Sequence, residues 1–313
     1  MNNMGIHILS TGKALPEKRL SNADLSEMVD TNDEWIVTRT GISERRICTE
    51  ETCMSLALDA ARDALNKSDI NTEEIGLIIT ATSTGDYIFP SVACRLQKEL
   101  ALPETVISFD LSAACTGFIY ALGVARSMMA TMPIRYALVV AAEKMSKIVD
   151  YSDRSTCILF GDGAGAVLLE SSDGRFLQKG YSRGNVDVLN CPGIGEADQT
   201  INMCGQEVFK FAVNALESGI EEILRESETD LKDVAAVICH QANERIIRHV
   251  QKRFKGYEDK FFINIKNYGN TSSASVAIAL DEAMEEGKIK AGDKVILSGF
   301  GAGLSWSSII MQI

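Results

Sequence analysis

The sequence predicts an α/β protein built as two copies of one plan. Short, near-continuous apolar runs alternate with helical ones along the chain, the pattern of buried and mostly parallel strands. Residues 68–80 (SDINTEEIGLIIT) resemble residues 227–239 (SETDLKDVAAVIC), and 106–124 (VISFDLSAACTGFIYALGV) line up with 261–279 (FFINIKNYGNTSSASVAIA). The offset is nearly constant: 234 − 75 = 159 from Ile75 to Val234, and 270 − 115 = 155 from Cys115 to Asn270. Matched elements in one order at one offset mark an internal duplication, with halves expected at 1–172 and 173–313.

Taken in order, Gly5–Leu9 reads as a strand, Met54–Asn66 as an amphipathic helix, Ile75–Thr80 as a strand and Val92–Leu100 as a helix. Val106–Phe109 is a short apolar strand bounded by Asp110. The helix that follows is apolar on nearly every side, with Arg126 its only charge, so a central position is expected. Strands follow at Tyr136–Ala142 and Ile158–Leu169. The second half repeats the order with a helix over Val208–Glu226, a strand ending at Cys239-His240, a helix over Asn243–Phe254 and a strand at Lys294–Gly299. The run Gly161-Asp162-Gly163-Ala164-Gly165-Ala166 satisfies a dinucleotide-binding pattern. AVLLE after it reads as strand, however, where that fingerprint needs a helix, so a tight turn between strands is expected.

A net charge of −12 argues against a general nucleic-acid binder, which needs a basic surface. The N-terminus carries no signal-peptide h-region and no apolar run approaches membrane-span length. The eight cysteines are scattered singly without Cys-x-x-Cys or paired His ligands, so neither a disulfide framework nor a metal site is expected. A cytoplasmic protein without membrane contact fits best.

Cys115 falls where a strand gives way to a helix. Free backbone N–H groups and the helix dipole favour an anion there, which lowers a thiol pKa and favours the nucleophilic thiolate; the plain alternative is an inert buried cysteine. The duplication places Asn270 at the equivalent position. His240, one of three histidines, lies at a strand end where a loop residue can reach a cleft, although a lone histidine is commonly structural. Cys, His and Asn together make a workable acyl-transfer set: a thiolate to take the acyl group, with an imidazole and an amide donating to an oxygen that becomes negative. On the helix after His240, Arg245, Arg248, Lys252 and Lys255 recur on one side and Ile246, Ile247, Val250 and Phe254 on the other. Such a basic face is ordinarily just solvated, but in an acidic chain it is unusual.

DLSAACTGF around Cys115, HQANERII around His240, NYGNTSSAS around Asn270 and GFGAGLSW at 299–306 resemble the signatures of the β-ketoacyl-ACP synthase III family of the thiolase superfamily. DEWIVTRTGI at 33–42 and DRSTCILFGDGAGAVLLE at 153–170 are similar to it as well. The resemblance implies a thiolase-like fold of two βαβαβαββ halves related by a pseudo-two-fold axis and layered α-β-α-β-α. It implies transfer of an acyl group from acyl-CoA to Cys115, then decarboxylative condensation with malonyl-ACP to give 3-oxoacyl-ACP. His240 and Asn270 would hold the malonyl thioester oxygen, and the backbone N–H groups of Cys115 and Ala302 the oxyanion of acylation. No cofactor is implied, since CoA and the phosphopantetheine of ACP arrive as substrates. Trp35 and Arg154 would sandwich the CoA adenine near Arg39, with Asn243 and Phe300 also contacting substrate. Phe89 would reach across a homodimer interface into the partner's acyl pocket, and Lys210, Arg245, Arg248 and Lys252 would dock the acidic carrier protein. The sequence departs from the family pattern at Ala302, where glycine is usual and the loop geometry is therefore open. Leu304 and Glu244 are further departures, expected to alter packing and charge more than chemistry. A relative from specialised metabolism and a cysteine hydrolase are the competing readings.

Overall fold

The computed structural model describes residues 5–313. Two five-stranded mixed sheets form its frame. From edge to edge the first runs Gly5–Ala14, Gly163–Ser172, Tyr136–Glu143, Ile75–Ala81, Ile107–Leu111. The second runs Phe176–Asn185, Gly303–Gln312, Lys294–Gly301, Ala236–Cys239, Phe261–Phe262. Numbered within its own sheet, each has the order first, fifth, fourth, second, third. In each, the first two pairings are antiparallel and the last two parallel. Identical order and identical direction at every pairing are what the repeated sequence requires.

The helices complete the layers. Cys53–Asn66 and Val92–Glu99 cover the outer face of the first sheet, and Gly205–Glu226, with Glu244–Gln251 against it, covers the second. Gly117–Thr131 and Ala274–Glu285 lie between the sheets. Both are apolar around most of their circumference because both faces are covered. Phe118, Leu122, Val276 and Leu280 share one core with Ile79, Val139, Ile238 and Leu297 from the two sheets.

Four sequence expectations are corrected here. The strand expected over Ile158–Leu169 begins only at Gly163, because Leu159 and Gly161 hydrogen-bond through their backbones to Asn270 instead. The 161–166 run is therefore not a tight turn: its second half is strand. A Cβ on Gly165 would lie 2.6 Å from that of Ala277, so the missing side chain lets the central helix approach. Asp162 is fully buried and accepts from the N–H groups of Cys48 and Ser146, a structural use of the acid. The first strand also runs on to Ala14, and the basic helix ends at Gln251 instead of Phe254.

A buried ionic cluster ties the first sheet to a helix of the other half. The Asp281 side chain, 0% exposed, receives Lys13 Nζ at 2.7 Å, Lys67 Nζ at 3.0 Å and the Thr11 hydroxyl at 2.7 Å. Asp63 and Glu285 complete it, so three converging carboxylates already hold two ammonium groups. Burial alone would raise the Asp281 carboxyl, but hydrogen bonds from Lys13, Thr11 and Lys67 outweigh it and hold it below the usual range. Its stabilisation is therefore present above the ordinary aspartate range and lost as pH falls through the lowered value. Asp281→Asn removes the one fully buried charge that both cations share and should cost about 3 kcal/mol, read from the denaturant midpoint. An unchanged midpoint would show that the cluster contributes nothing net.

Candidate active site

Cys115 sits on a single 3₁₀ turn, Ala114–Thr116, between the strand Ile107–Leu111 and the helix Gly117–Thr131. Ala114 before it has φ +45°, and Gly269 before Asn270, at the equivalent position of the other half, has φ +65°. A residue of positive φ thus precedes both. His240 follows the strand Ala236–Cys239 directly. Cys115, His240 and Asn270 line one cavity of about 1270 Å³, walled by residues of both halves.

Hydrogen bonds fix what each group presents to that cavity. The Ser272 N–H donates to Asn270 Oδ1 at 2.9 Å, which leaves the Nδ2 hydrogens as Asn270's free donors. His240 Nδ1 lies 2.6 Å from Ser275 Oγ, which also accepts from the Gln241 N–H at 3.2 Å. Among the described residues that hydroxyl has no other acceptor. The assignment that satisfies all three groups has Ser275 donating to Nδ1, so the proton of the neutral ring is on Nε2. Phe300 packs edge-on against the ring at 5.2 Å.

Burial pushes His240 down to about 3, so it is a neutral hydrogen-bond donor across the physiological range. The unfolded chain protonates this residue near 6.5, so stability falls as pH drops through that window. Any reaction step that uses this ring as a donor should accordingly show no acid limb near pH 6.5, measured in single turnovers. A limb there would mean that the histidine titrates in place.

The expectation of a lowered thiol pKa at Cys115 is corrected. Burial pushes it up to about 12, and the nearby Glu143 carboxylate adds to this; a hydrogen bond to Ser272 opposes both. The loss of solvation around the sulfur outweighs the helix terminus.

The other expected residues divide. Ala302, Phe300, Trp35, Arg39, Arg154, Asn243, Lys210 and Arg245 line the same cavity. Ala302 is not among the positive-φ residues of the chain. That conformation falls on Gly303, φ +144°, so alanine costs this loop no strain. Gly301 is the close approach: a Cβ there would lie 2.9 Å from the Cys115 nitrogen. Trp35 is half-buried, with the Arg39 guanidinium 4.7 Å and the Arg154 guanidinium 4.8 Å from its ring centre. An adenine entering between Trp35 and Arg154 would therefore have to displace that guanidinium from the ring. Asn243 caps the basic helix, accepting from the Arg245 N–H and donating to the Arg39 carbonyl.

Glu244 is explained by packing: it lies against Gly41, whose added Cβ would fall 2.0 Å away, and pairs with Arg248. Leu304 is buried in the core of the second sheet. Arg248 and Lys252 are exposed on the outer side of their helix, away from the cavity wall. Phe89 is 81% exposed beside the exposed Tyr87 and Ile88. Sequence reasoning assigned no role to Ser272, Ser275 or Glu143. Their only trace was the serine-rich spacing of NYGNTSSAS and an acid closing an apolar strand.

Residues 109–182 match the family described as 3-oxoacyl-[acyl-carrier-protein] synthase III, and residues 224–313 the family described as its C-terminal part. The chain is 46% identical to the β-ketoacyl-[acyl-carrier-protein] synthase III of Clostridium tetani, with 100% of this chain and 99% of the relative covered. The crystal structure of the Aquifex aeolicus synthase III superposes with a TM-score of 0.94 at 44% identity, covering 99% of this chain and 100% of that one. The priming β-ketosynthase of the R1128 polyketide pathway superposes with a TM-score of 0.91 at 33% identity, covering 98% and 96%. With full-length likeness of that order added to a duplicated fold and a shared Cys, His and Asn cavity, the chain belongs to the β-ketoacyl-[acyl-carrier-protein] synthase III family of thiolase-fold condensing enzymes.

Proposed function

We propose that the enzyme transfers an acyl group from a short acyl-CoA to Cys115 and condenses it with malonyl-ACP, releasing carbon dioxide and giving 3-oxoacyl-ACP, the first step of fatty-acid synthesis. The convergence of Cys115 with two neutral donors, Asn270 Nδ2 and His240 Nε2, carries this reading. In acylation the Cys115 and Ala302 amides hold the tetrahedral oxyanion. In condensation the two side-chain donors hold the malonyl thioester oxygen, so that loss of carbon dioxide leaves its electron pair in a stabilised enolate. That enolate attacks the acyl-cysteine. Residues 1–172 supply the nucleophile and 173–313 both donors. Trp35, Arg39, Arg154, Asn243 and Phe300 hold the CoA or pantetheine end. The exposed Tyr87-Ile88-Phe89 strip is the face of a homodimer through which Phe89 reaches the partner's pocket.

The test is intact-protein mass after mixing with a panel of acyl-CoAs, then again after malonyl-ACP. A Cys115 adduct that disappears as 3-oxoacyl-ACP forms supports the reading and names the primer; an adduct lost only as free acid refutes it. The likeness to the R1128 enzyme favours a second reading, a specialised condensing enzyme, for which the adduct would form only with a primer foreign to fatty-acid synthesis.

Carrier-protein docking rests on the basic face formed by Lys210, Arg245, Arg248 and Lys252. Arg245 lies at the cavity mouth, within reach of either substrate, so Lys252 and Lys255, both exposed, are the cleaner test. Lys252→Glu with Lys255→Glu should lower kcat/KM for malonyl-ACP about tenfold at low salt, less at high salt, with acylation by CoA thioesters unchanged. Equal loss in both steps would rule the docking face out.

A further inference from the structure

Behind the cavity wall lies an acid that the proposed chemistry leaves idle. Glu143 ends a strand of the first sheet and is fully buried. Its Oε1 accepts from the hydroxyls of Ser272, at 3.2 Å, and Ser273, at 2.9 Å. Its Oε2 accepts from the Thr84 hydroxyl at 2.6 Å and the Ser83 N–H at 3.2 Å. All four donors are neutral. Ser272 lines the cavity, and the Cys115 thiol donates to its Oγ at 3.5 Å. Ser272 holds this place with φ +51°, a conformation that a residue with a side chain adopts at a cost and that clusters at functional sites. One strained serine therefore touches the nucleophile, the buried acid and, through its N–H, Asn270.

We propose that Glu143 and Ser272 form a proton relay for Cys115 in the acylation half-reaction. The inference rests on the acyl transfer argued above. As Sγ attacks the thioester carbonyl carbon, its proton passes to Ser272 Oγ and the serine's own proton passes to Glu143 Oε1. The S–C bond forms and the carbonyl electron pair moves onto oxygen, held by the backbone N–H groups. Collapse of that adduct expels the CoA sulfur with its bonding pair. The departing sulfur is bonded to the same carbon as Sγ and takes the proton back through Ser272. Glu143 ends as the carboxylate it began as, so no net proton is consumed.

The relay meets a need that the site itself creates. With the thiol pushed up by burial, it is held almost entirely protonated at pH 7. Burial raises Glu143 as well, against its four hydrogen bonds, so this acid takes up a proton more readily than an exposed carboxylate does. The other groups around the relay leave this path open. Cys53 is a buried thiol also pushed up to about 12. Asp86 and Asp110 beyond it accept from backbone N–H groups. Lys144 turns away to the Glu51 carbonyl, and His240 has its Nδ1 bound to Ser275.

The experiment compares wild type with Ser272→Ala and Glu143→Gln. It measures the rate of Cys115 acylation by acetyl-CoA, or by whichever acyl-CoA loads, and of Cys115 alkylation by iodoacetamide, from pH 6 to pH 9. Wild type should be nearly flat in pH. Each variant should be at least tenfold slower at pH 7 and should gain about tenfold per pH unit, as expected when hydroxide must deprotonate the thiol. Wild-type rate and profile in a folded variant would overturn the relay. So would an equal loss at every pH, the signature of a merely structural role. If Glu143→Gln does not fold, Ser272→Ala decides alone. Should no acyl-CoA load the wild type, acyl transfer fails as a reading, and the alkylation profiles still test the relay.

Discussion

Cys115→Ala is expected to abolish acyl transfer: no adduct forms with any acyl-CoA, and 3-oxoacyl-ACP production by the ordinary route falls at least about 10⁴-fold, a loss typical of removing a covalent nucleophile. The sulfur sits at the start of a central helix whose backbone N–H groups and neighbours are all fixed by packing, and none of the other cysteines lines the inner end of the cavity. Cys191 reaches only the mouth and is exposed, so an adduct surviving in the variant would place the nucleophile there and sink the assignment.

The second large effect separates the two half-reactions. On the proposed roles, His240→Ala and Asn270→Ala each remove one donor to the enolate oxygen, and each should slow condensation about 10²–10³-fold. Acylation should stay within a few-fold of wild type, because the proposed oxyanion donors of that step are backbone N–H groups that neither change removes. The acyl-enzyme should therefore accumulate, visible as a stable mass increase. His240→Ala also opens a hole beside Phe300, and Asn270→Ala frees the Ser272 N–H, so thermal melting should accompany both. Loss of acylation in a well-folded variant would refute this division of labour.

Much of this arrangement was legible from residues alone. The repeat at a near-constant offset already placed Asn270 opposite Cys115, because duplication preserves the topology that positions both. Strand cores were legible for the same reason that they are buried: unbroken apolar runs have one way to avoid water. What escaped was what depends on contacts distant in sequence. The thiol's ionisation could not be read from its helix-terminal position, because the desolvating walls come from both halves. Ala302 looked doubtful, since sequence shows a missing glycine without showing that Gly303 takes the unusual φ. The run at 161–166 looked like a turn because glycines usually break strands; here they thin a strand so that Ala277 can sit against it. Glu143 and Ser275 went unassigned because each acts through a partner more than 30 residues away.

The positive φ ahead of both Cys115 and Asn270 bears on what each half tolerates at that position. In the first half the residue in the left-handed conformation is Ala114, so the local surroundings admit a side chain. In the second it is Gly269, where a Cβ would fall 2.7 Å from the Leu159 carbonyl oxygen. The positive φ thus occurs in both halves, but neighbouring backbone closes in on only one of them. The half that presents the sulfur has room for a methyl group at this point, while the half that presents the amide has none, because the segment that Asn270 pairs with lies against it. The two halves therefore differ here by a single carbon in what a substitution ahead of the functional residue can do to its position.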